Sequence, residues 1–266
     1  MAVEDKASVD PQRAVLVPID VSGLDRKDLI SVERIGDTLS LRAAHHQEDA
    51  DLGRLGNAAR VATREVLGVQ WLDDEAAFNI MLAVDGSGSA VDLVQEGSVS
   101  ALAQVLTGIA QVIGGSNQMR AAVVDGNVHP VPPHQLAALP AGVVAAHQAR
   151  IPSSGFRSAF PRLENAGDGA GTIVYLLTDS LPADIRDLEQ LGEANETRHI
   201  IAMTPMAAWQ LLGGTTVSHT VVEPVLPGQD LESRLLGEPN ALHGLVKSLL
   251  QPCLTPRSEF LEGVAL

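Results

Sequence analysis

Short apolar runs alternate with longer amphipathic stretches between residues 77 and 226. The first run, Phe78 to Val84, is almost continuously apolar, which is typical of a strand buried on both faces of a sheet. Apolar residues then recur at helical spacing over 99–113. Further strands are predicted, with helical stretches between most of them, at 120–124, 128–131, 171–178, 199–204 and 216–222. This alternation predicts an α/β fold, with a doubly wound, mostly parallel sheet and helices on both faces.

The pattern changes on either side of this region and predicts four segments. Residues 1–51 form a small β-rich extension, in which 14–44 reads as strands and Gly36-Asp37 is a hairpin tip. Residues 52–76 form a helical connector, and 77–228 form the α/β domain. Residues 229–266 form a helical tail that packs on this domain, with a break at Pro239.

Composition narrows the classes of function. The chain has 266 residues, of which 45% are apolar, so it can build a sizeable core. Its net charge of −15 excludes the basic footprint needed for nucleic acid or an anionic membrane. A single cysteine, Cys253, excludes an internal disulfide and a CxxC metal site. We expect a cytoplasmic protein without membrane insertion, because the first residues lack an apolar signal and no run reaches the ~20 apolar residues of a membrane helix.

Two carboxylates follow predicted strands, where ligands bind in doubly wound sheets. Asp85 follows the first buried strand, and Asp179 follows the strand at 171–178. Asp85 also opens an Asp-x-Ser-x-Ser sequence, which adds the hydroxyls of Ser87 and Ser89. Oxygen ligands of this kind suit a hard cation, so we predict a site for Mg²⁺, with Mn²⁺ or Ca²⁺ as alternatives.

Other interpretations of this loop are weaker. Asp, Gly and Ser dominate turns, so the loop could be a turn and nothing more. The Gly86-x-Gly88 pair could hold a phosphate at a helix N-terminus. It does not complete a dinucleotide-binding fingerprint, because residue 91 is Val, and it does not form a P-loop. The Gly-x-Ser-x-Gly pattern of hydrolases is absent, because Asp85 stands at its first position.

The remaining titratable residues form no recognisable metal or catalytic motif in the sequence. The eight histidines are scattered and form no His-Glu-x-x-His motif. His129, His134 and His147 flank a predicted helix without metal-ligand spacing. Asp125, in an Asp-Gly-Asn sequence, is interpreted as a turn residue. Cys253, beside a proline, is interpreted as a small packed residue.

The sequence Asp85-Gly-Ser-Gly-Ser89 resembles the metal-ion-dependent adhesion site of von Willebrand factor A (vWA) domains, which have Asp-x-Ser-x-Ser after the first strand. Thr178-Asp179 resembles the family's later Thr-Asp element. The family's remaining ligand is a Thr, and the corresponding stretch here is Ser153-Ser154-Gly155, which makes Ser154 the candidate. The resemblance covers about residues 77–226 and implies a doubly wound α/β fold with a metal at one edge of the sheet.

A narrower resemblance lies inside this region. Residues 96–99 and 123–133 look like the A domains of bacterial tellurium-resistance, or stress-response, proteins. The chain departs from the family at Ala90, where Met is usual, and at Ser180, where Gly is usual. Separately, residues 19–29 and 37–41 are similar to strands of small heat-shock domains.

The vWA resemblance implies a non-enzymatic protein-interaction module, in which an acidic side chain of a partner protein completes the metal coordination. One alternative is a metal-free scaffold in a bacterial stress-response assembly. Another is a Mg²⁺-dependent phosphohydrolase or nucleotide binder, for which the three site loops offer only Arg150 and Arg157 as a phosphate clamp. The candidate metal ligands are Asp85, Ser87, Ser89, Ser154 and Asp179.

Overall fold

The N-terminal part of the structure is a two-stranded antiparallel sheet. In the computed structural model, strands β1 (Ile30–Ile35) and β2 (Thr38–Ala43) pair with Ile35 opposite Thr38. This pairing agrees with a hairpin around residues 36–37, which themselves lie outside the described residues, as do residues 1–29. The structure describes residues 30–35, 38–43, 50–72, 76–125, 127–132, 135–148, 171–182, 185–190, 196–211, 215–226 and 228–254.

A six-stranded, mostly parallel sheet lies at the centre of the rest of the chain. Its strand order is β5-β4-β3-β6-β7-β8, and β5 runs antiparallel to β4 at one edge. The predicted α/β class is therefore confirmed. The strands are β3 (Phe78–Asp85), β4 (Gly114–Val124), β5 (Val128–Pro130), β6 (Gly171–Thr178), β7 (Glu196–Met203) and β8 (Ser218–Val222).

Helices connect and cover these strands. Pro239 occupies the first turn of a helix, where its missing N–H is harmless, so the predicted break in the tail falls between two helices. Among the described helices, none has both the length and the apolar character that a bilayer span requires. The helices are α1 (Gly53–Leu67), α2 (Val91–Gln95), α3 (Ser98–Ile113), α4 (Leu139–Gln148), α5 (Ile185–Gln190), α6 (Met206–Leu211), α7 (Leu231–Gly237), α8 (Pro239–Leu249) and α9 (Gln251–Leu254).

Both faces of the sheet are buried, because alternate residues of each strand point to opposite sides. On β3, Leu82 and Val84 join a core formed with α1, α3, α4, α7 and α8. Met81 and Ala83 face the other way, into a smaller core that includes Trp209 of α6. Burial on both faces explains why the strands are continuously apolar in the sequence.

Helix α1 packs on α3 through direct backbone contact. A Cβ atom added at Gly108 would lie 2.4 Å from the carbonyl oxygen of Gly56 and 2.8 Å from the amide nitrogen of Arg60. Only glycine therefore allows the two helices to cross this closely. Leu55 and Ala59 of α1 lie in the same core as the sheet, so this helix is part of the packed α/β body.

The strand order also indicates where a binding site would lie. Chain connections run outward in opposite directions from β3 and β6, so the order reverses between these two neighbours. In doubly wound sheets the ligand crevice opens at this reversal, outside the carboxyl ends of the strands. Asp85 ends β3 and Asp179 directly follows β6, so both carboxylates lie at this point.

Candidate metal centre

The loop after β3 folds back onto its own aspartate. The backbone N–H of Ser87 donates to Oδ1 of Asp85 at 2.8 Å, and the N–H of Gly86 donates to the carbonyl of Val124 at 2.7 Å. A Cβ atom at Gly86 would lie 3.0 Å from the Cβ of Asp125 and 3.1 Å from the Val124 oxygen. The glycine therefore lets the loop pass tightly along the end of β4.

The two serine hydroxyls of the loop lie side by side. Ser87 Oγ and Ser89 Oγ form a hydrogen bond at 3.0 Å; Ser87 is buried and Ser89 is exposed. Neighbouring ligand oxygens in an octahedral Mg²⁺ site with bonds of ~2.1 Å are about 3 Å apart. The observed spacing is thus compatible with both hydroxyls binding one small cation.

Asp85 is a buried carboxylate held by neighbouring donors. Its side chain is 2% exposed, and its Oδ2 accepts a hydrogen bond from the Thr178 hydroxyl at 2.8 Å. Burial raises the pKa of Asp85 above its ordinary value, the hydrogen bonds from Ser87 and Thr178 act in the opposite direction, and the negative charge of Asp179 raises it further. A cation at this position would offset both the desolvation and the repulsion.

Asp179 has a buried oxygen without a partner. Within the described part of the chain, its Oδ1 is enclosed and receives no hydrogen bond. Buried carboxylate oxygens are normally hydrogen-bonded or bound to a cation, and an unpartnered one is costly. The effect of Asp179 on the pKa of Asp85 indicates that the two carboxylates interact. Within the described residues, this oxygen is therefore an acceptor to which a cation could bind.

The residues present fit a hard divalent cation. We call Asp85, Ser87, Ser89 and Asp179 the carboxylate cluster; all of its donors are oxygens, which Mg²⁺, Mn²⁺ and Ca²⁺ prefer. Across the described ranges, no group of three or more His, Cys, Asp or Glu side chains is placed to hold a metal. A site here would therefore depend on hydroxyls and water as well as carboxylates. The remaining candidate ligand, Ser154, lies outside the described residues, as do Arg150 and Arg157.

Two contacts at the cluster were missed from the sequence. Thr178 supplies the hydroxyl that binds Asp85, although it was considered only as part of the Thr-Asp pair. His147 lies on α4, and its Nε2 is 3.1 Å from the backbone carbonyl oxygen of Asp85. The available sign of the second contact was a histidine at a position where the helix otherwise buries apolar residues, such as Leu139 and Val143.

Asp125 lies next to the loop of the cluster, beside Gly86. Its Oδ1 accepts the N–H of Asn127 at 3.3 Å, in agreement with the turn interpretation. The same oxygen lies 2.7 Å from Nε2 of His129, a pairing that the sequence did not predict. This carboxylate therefore has partners within its own turn.

Two other titratable residues, His199 and Cys253, have pKa values that burial shifts in favour of their neutral forms. His199 is fully buried, and burial lowers its pKa to about 4, with His219 adding to the shift. Burial raises the pKa of the Cys253 thiol to about 12, so the thiolate is scarce at neutral pH. Cys253 packs against the main core, which agrees with its interpretation as a small packed residue.

The arrangement itself carries the functional assignment. No protein-family model matches the sequence, and no curated protein is significantly similar to it. The carboxylate cluster and its position at the reversal of strand order are therefore the features that bear on function.

Proposed function

We propose that the chain is a non-enzymatic interaction module of the vWA type. In this proposal the carboxylate cluster holds Mg²⁺, Mn²⁺ or Ca²⁺, with Ser154 as a further ligand implied by the resemblance. An acidic side chain of a partner protein completes the coordination. The observation that carries the proposal is the buried Oδ1 of Asp179, which has no hydrogen-bond partner among the described residues and lies beside the buried carboxylate of Asp85.

Electrostatics supports a metal-dependent interaction. The chain carries a net charge of −15, and two carboxylates meet at the edge where a partner would bind. Without a cation, this edge repels an acidic side chain. A bound divalent cation reverses the local charge, and its exchangeable water can be replaced by a partner's carboxylate.

The cellular context that we propose rests on the narrower resemblance alone. A role in a bacterial, cytoplasmic stress-response assembly follows from the resemblance of residues 96–99 and 123–133 to tellurium-resistance A domains. An enzymatic role is less supported, because the loops at 85–90 and 179–182 contain no Lys or Arg to bind a phosphate.

One observation favours a metal-free scaffold as the second candidate. Both oxygens of Asp85 already accept hydrogen bonds, from the Ser87 amide and the Thr178 hydroxyl. A protein that had lost its metal could keep the loop folded through these bonds alone. Under this alternative, partner binding would be insensitive to chelation.

Calorimetric titration with Mn²⁺ tests the metal site. The wild type should bind one cation. Asp85→Asn should lose this binding, because Asn has nearly the same volume as Asp but lacks its negative charge. Asp92→Asn is the matched control, since Asp92 is exposed on the following helix and the substitution removes the same charge. Equal affinities of the wild type and Asp85→Asn would contradict the proposed ligand set.

The partner's acidic group can be tested with a simple probe. A short peptide with one Glu is compared with its Gln counterpart, and the relaxation of water protons by bound Mn²⁺ is recorded. The Glu peptide should reduce the relaxation by displacing a metal-bound water, and the Gln peptide should not. Equal effects of the two peptides would contradict carboxylate coordination.

A further inference from the structure

His147 occupies an apolar position on α4. Leu139, Val143 and His147 are spaced four residues apart and form the buried row of this helix. The imidazole is only 5% exposed. Leucine at this position would serve packing alone, whereas a buried polar ring requires a hydrogen-bond partner.

The ring finds its partner at the end of β3. Its Nε2 lies 3.1 Å from the carbonyl oxygen of Asp85, 62 residues earlier in the chain. A carbonyl can only accept, so Nε2 carries the proton and donates it. The bond satisfies a backbone acceptor at the residue where the strand ends and the loop begins.

Both polar groups of one peptide unit are thereby fixed. The carbonyl of Asp85 is held by His147, and the N–H of Gly86 in the same peptide is held by Val124 at 2.7 Å. A planar peptide bonded at both ends cannot rotate about its chain direction without breaking a bond. Its orientation sets where the Asp85 side chain points and where the loop toward Ser87 starts.

We infer that His147 is a positioning residue for the carboxylate cluster: it holds the Asp85–Gly86 peptide so that Asp85 and Ser87 are oriented toward a common cation. This inference rests on the proposed metal function. Within the described part of the chain, the hydrogen bond of the imidazole goes to the backbone carbonyl of Asp85, which assigns the ring to holding the loop and not to binding the cation. Groups that orient metal ligands typically affect metal affinity by roughly 10–100-fold when they are removed.

Three variants separate positioning from packing. His147→Leu fills the space of the ring with an apolar side chain and removes the Nε2–H donor. His147→Gln keeps an N–H donor that can approach the same carbonyl. Val143→Ala is the control, because it damages the same helix one turn earlier without touching the Asp85 peptide. Each variant is titrated with Mn²⁺ by calorimetry, its unfolding is measured, and amide exchange is recorded at Gly86 and Ser87.

The positioning role predicts a specific pattern. Mn²⁺ affinity should fall roughly tenfold or more in His147→Leu and recover largely in His147→Gln. Val143→Ala should lose stability and keep its affinity. The amides of Gly86 and Ser87 should exchange faster in His147→Leu than in Val143→Ala.

Other patterns would overturn the inference. Wild-type affinity and exchange in His147→Leu, or an equal loss of affinity in Val143→Ala, would show that the ring only fills space. A wild-type chain that binds no cation would instead overturn the proposed function. In that case, unchanged exchange at Gly86 and Ser87 in His147→Leu would refute the ring's hold on the loop, and faster exchange would support it.

Discussion

Two polar groups of residues lie within this sheet, and they differ in whether their hydrogen bonds are complete. The first is the carboxylate cluster at the ends of β3 and β6, where one buried oxygen of Asp179 has no hydrogen-bond partner in the described part of the chain. The second, which we call the His199 chain, consists of Ser218, His199, Thr220 and Ser248 and links β7 and β8 to α8.

The His199 chain is satisfied from within. Nδ1 of His199 is 2.8 Å from the Ser218 hydroxyl, and its Nε2 is 2.7 Å from the Thr220 hydroxyl, which is itself 2.6 Å from that of Ser248. Tyr175 packs its ring edge-on against His199, with ring centroids 5.8 Å apart. A hydrogen-bonded network of this kind rigidifies the fold, so we interpret the His199 chain as structural.

The carboxylate cluster and the His199 chain differ in the features that indicate a binding site. Both groups bury polar atoms, so burial of polar residues alone does not identify a site. The carboxylate cluster differs because it has excess negative charge and an unused acceptor, and because it lies at the reversal of strand order. Variants in the two groups should therefore affect different properties.

The largest effect is expected at Asp179. Asp179→Asn should lower Mn²⁺ affinity roughly 100-fold or more, because a charged ligand becomes neutral. The metal-free chain should be at least as stable as the wild type, because a charge that repels Asp85 is removed. Calorimetry and urea unfolding in EDTA measure the two effects. If Asp179→Asn lost stability in EDTA and kept its Mn²⁺ affinity, Asp179 would have a structural role and would not bind the cation.

Thr220 should show the opposite behaviour. Thr220→Val keeps the shape of the side chain and removes the hydroxyl between His199 and Ser248. Leaving buried partners unsatisfied costs about 1–3 kcal/mol in the free energy of unfolding. Mn²⁺ affinity should remain at the wild-type value. Chemical denaturation followed by metal titration tests both parts, and a parallel loss of affinity would show that the two groups are coupled.

Acid should destabilise the chain through His199. Its pKa is lowered from 6.5 to about 4 in the folded state, so the unfolded chain binds the proton more readily. The stability from the neutral ring is complete above pH 6.5 and is lost as the pH falls toward 4, by about 2 kcal/mol at pH 5. His199→Gln has no titrating group at this position, so its unfolding free energy should fall less steeply over this range. Equal pH slopes would refute the assignment.

Tyr175 should give the smallest effect. Its hydroxyl donates to the carbonyl of Leu249 at 2.8 Å, near the end of α8. Tyr175→Phe removes this bond and should cost about 1 kcal/mol. Mn²⁺ affinity should not change, and equilibrium unfolding measures the loss. No loss of stability would show that the hydroxyl contributes nothing net to the attachment of α8.

The fold class was predictable because strands buried on both faces appear as apolar runs. The run at 171–178 coincides with β6. The start of β4 was predicted at residue 120, yet the strand begins at Gly114, directly after α3. Residues 114–118 (GGSNQ) lack the apolar pattern that would have revealed this extension.

The site was predictable only in part. Asp85 and Asp179 follow apolar runs, and the rule for carboxyl ends of parallel strands then brings them together. His147 could not be assigned in this way, because its contact with Asp85 spans 62 residues and depends on how α4 packs. The missing partner of Asp179 Oδ1 is a property of three-dimensional packing that no sequence pattern records.

The most direct test of a cation at the carboxylate cluster is unfolding of the wild type and Asp179→Asn, each in EDTA and in saturating Mn²⁺. A ligand that binds only the folded state stabilises it by an amount that grows with the logarithm of the ligand concentration relative to Kd, about 2.7 kcal/mol at 100 times Kd. We expect Mn²⁺ to stabilise the wild type and to leave Asp179→Asn nearly unchanged. No stabilisation of the wild type, or equal stabilisation of both chains, would contradict the proposed cation site.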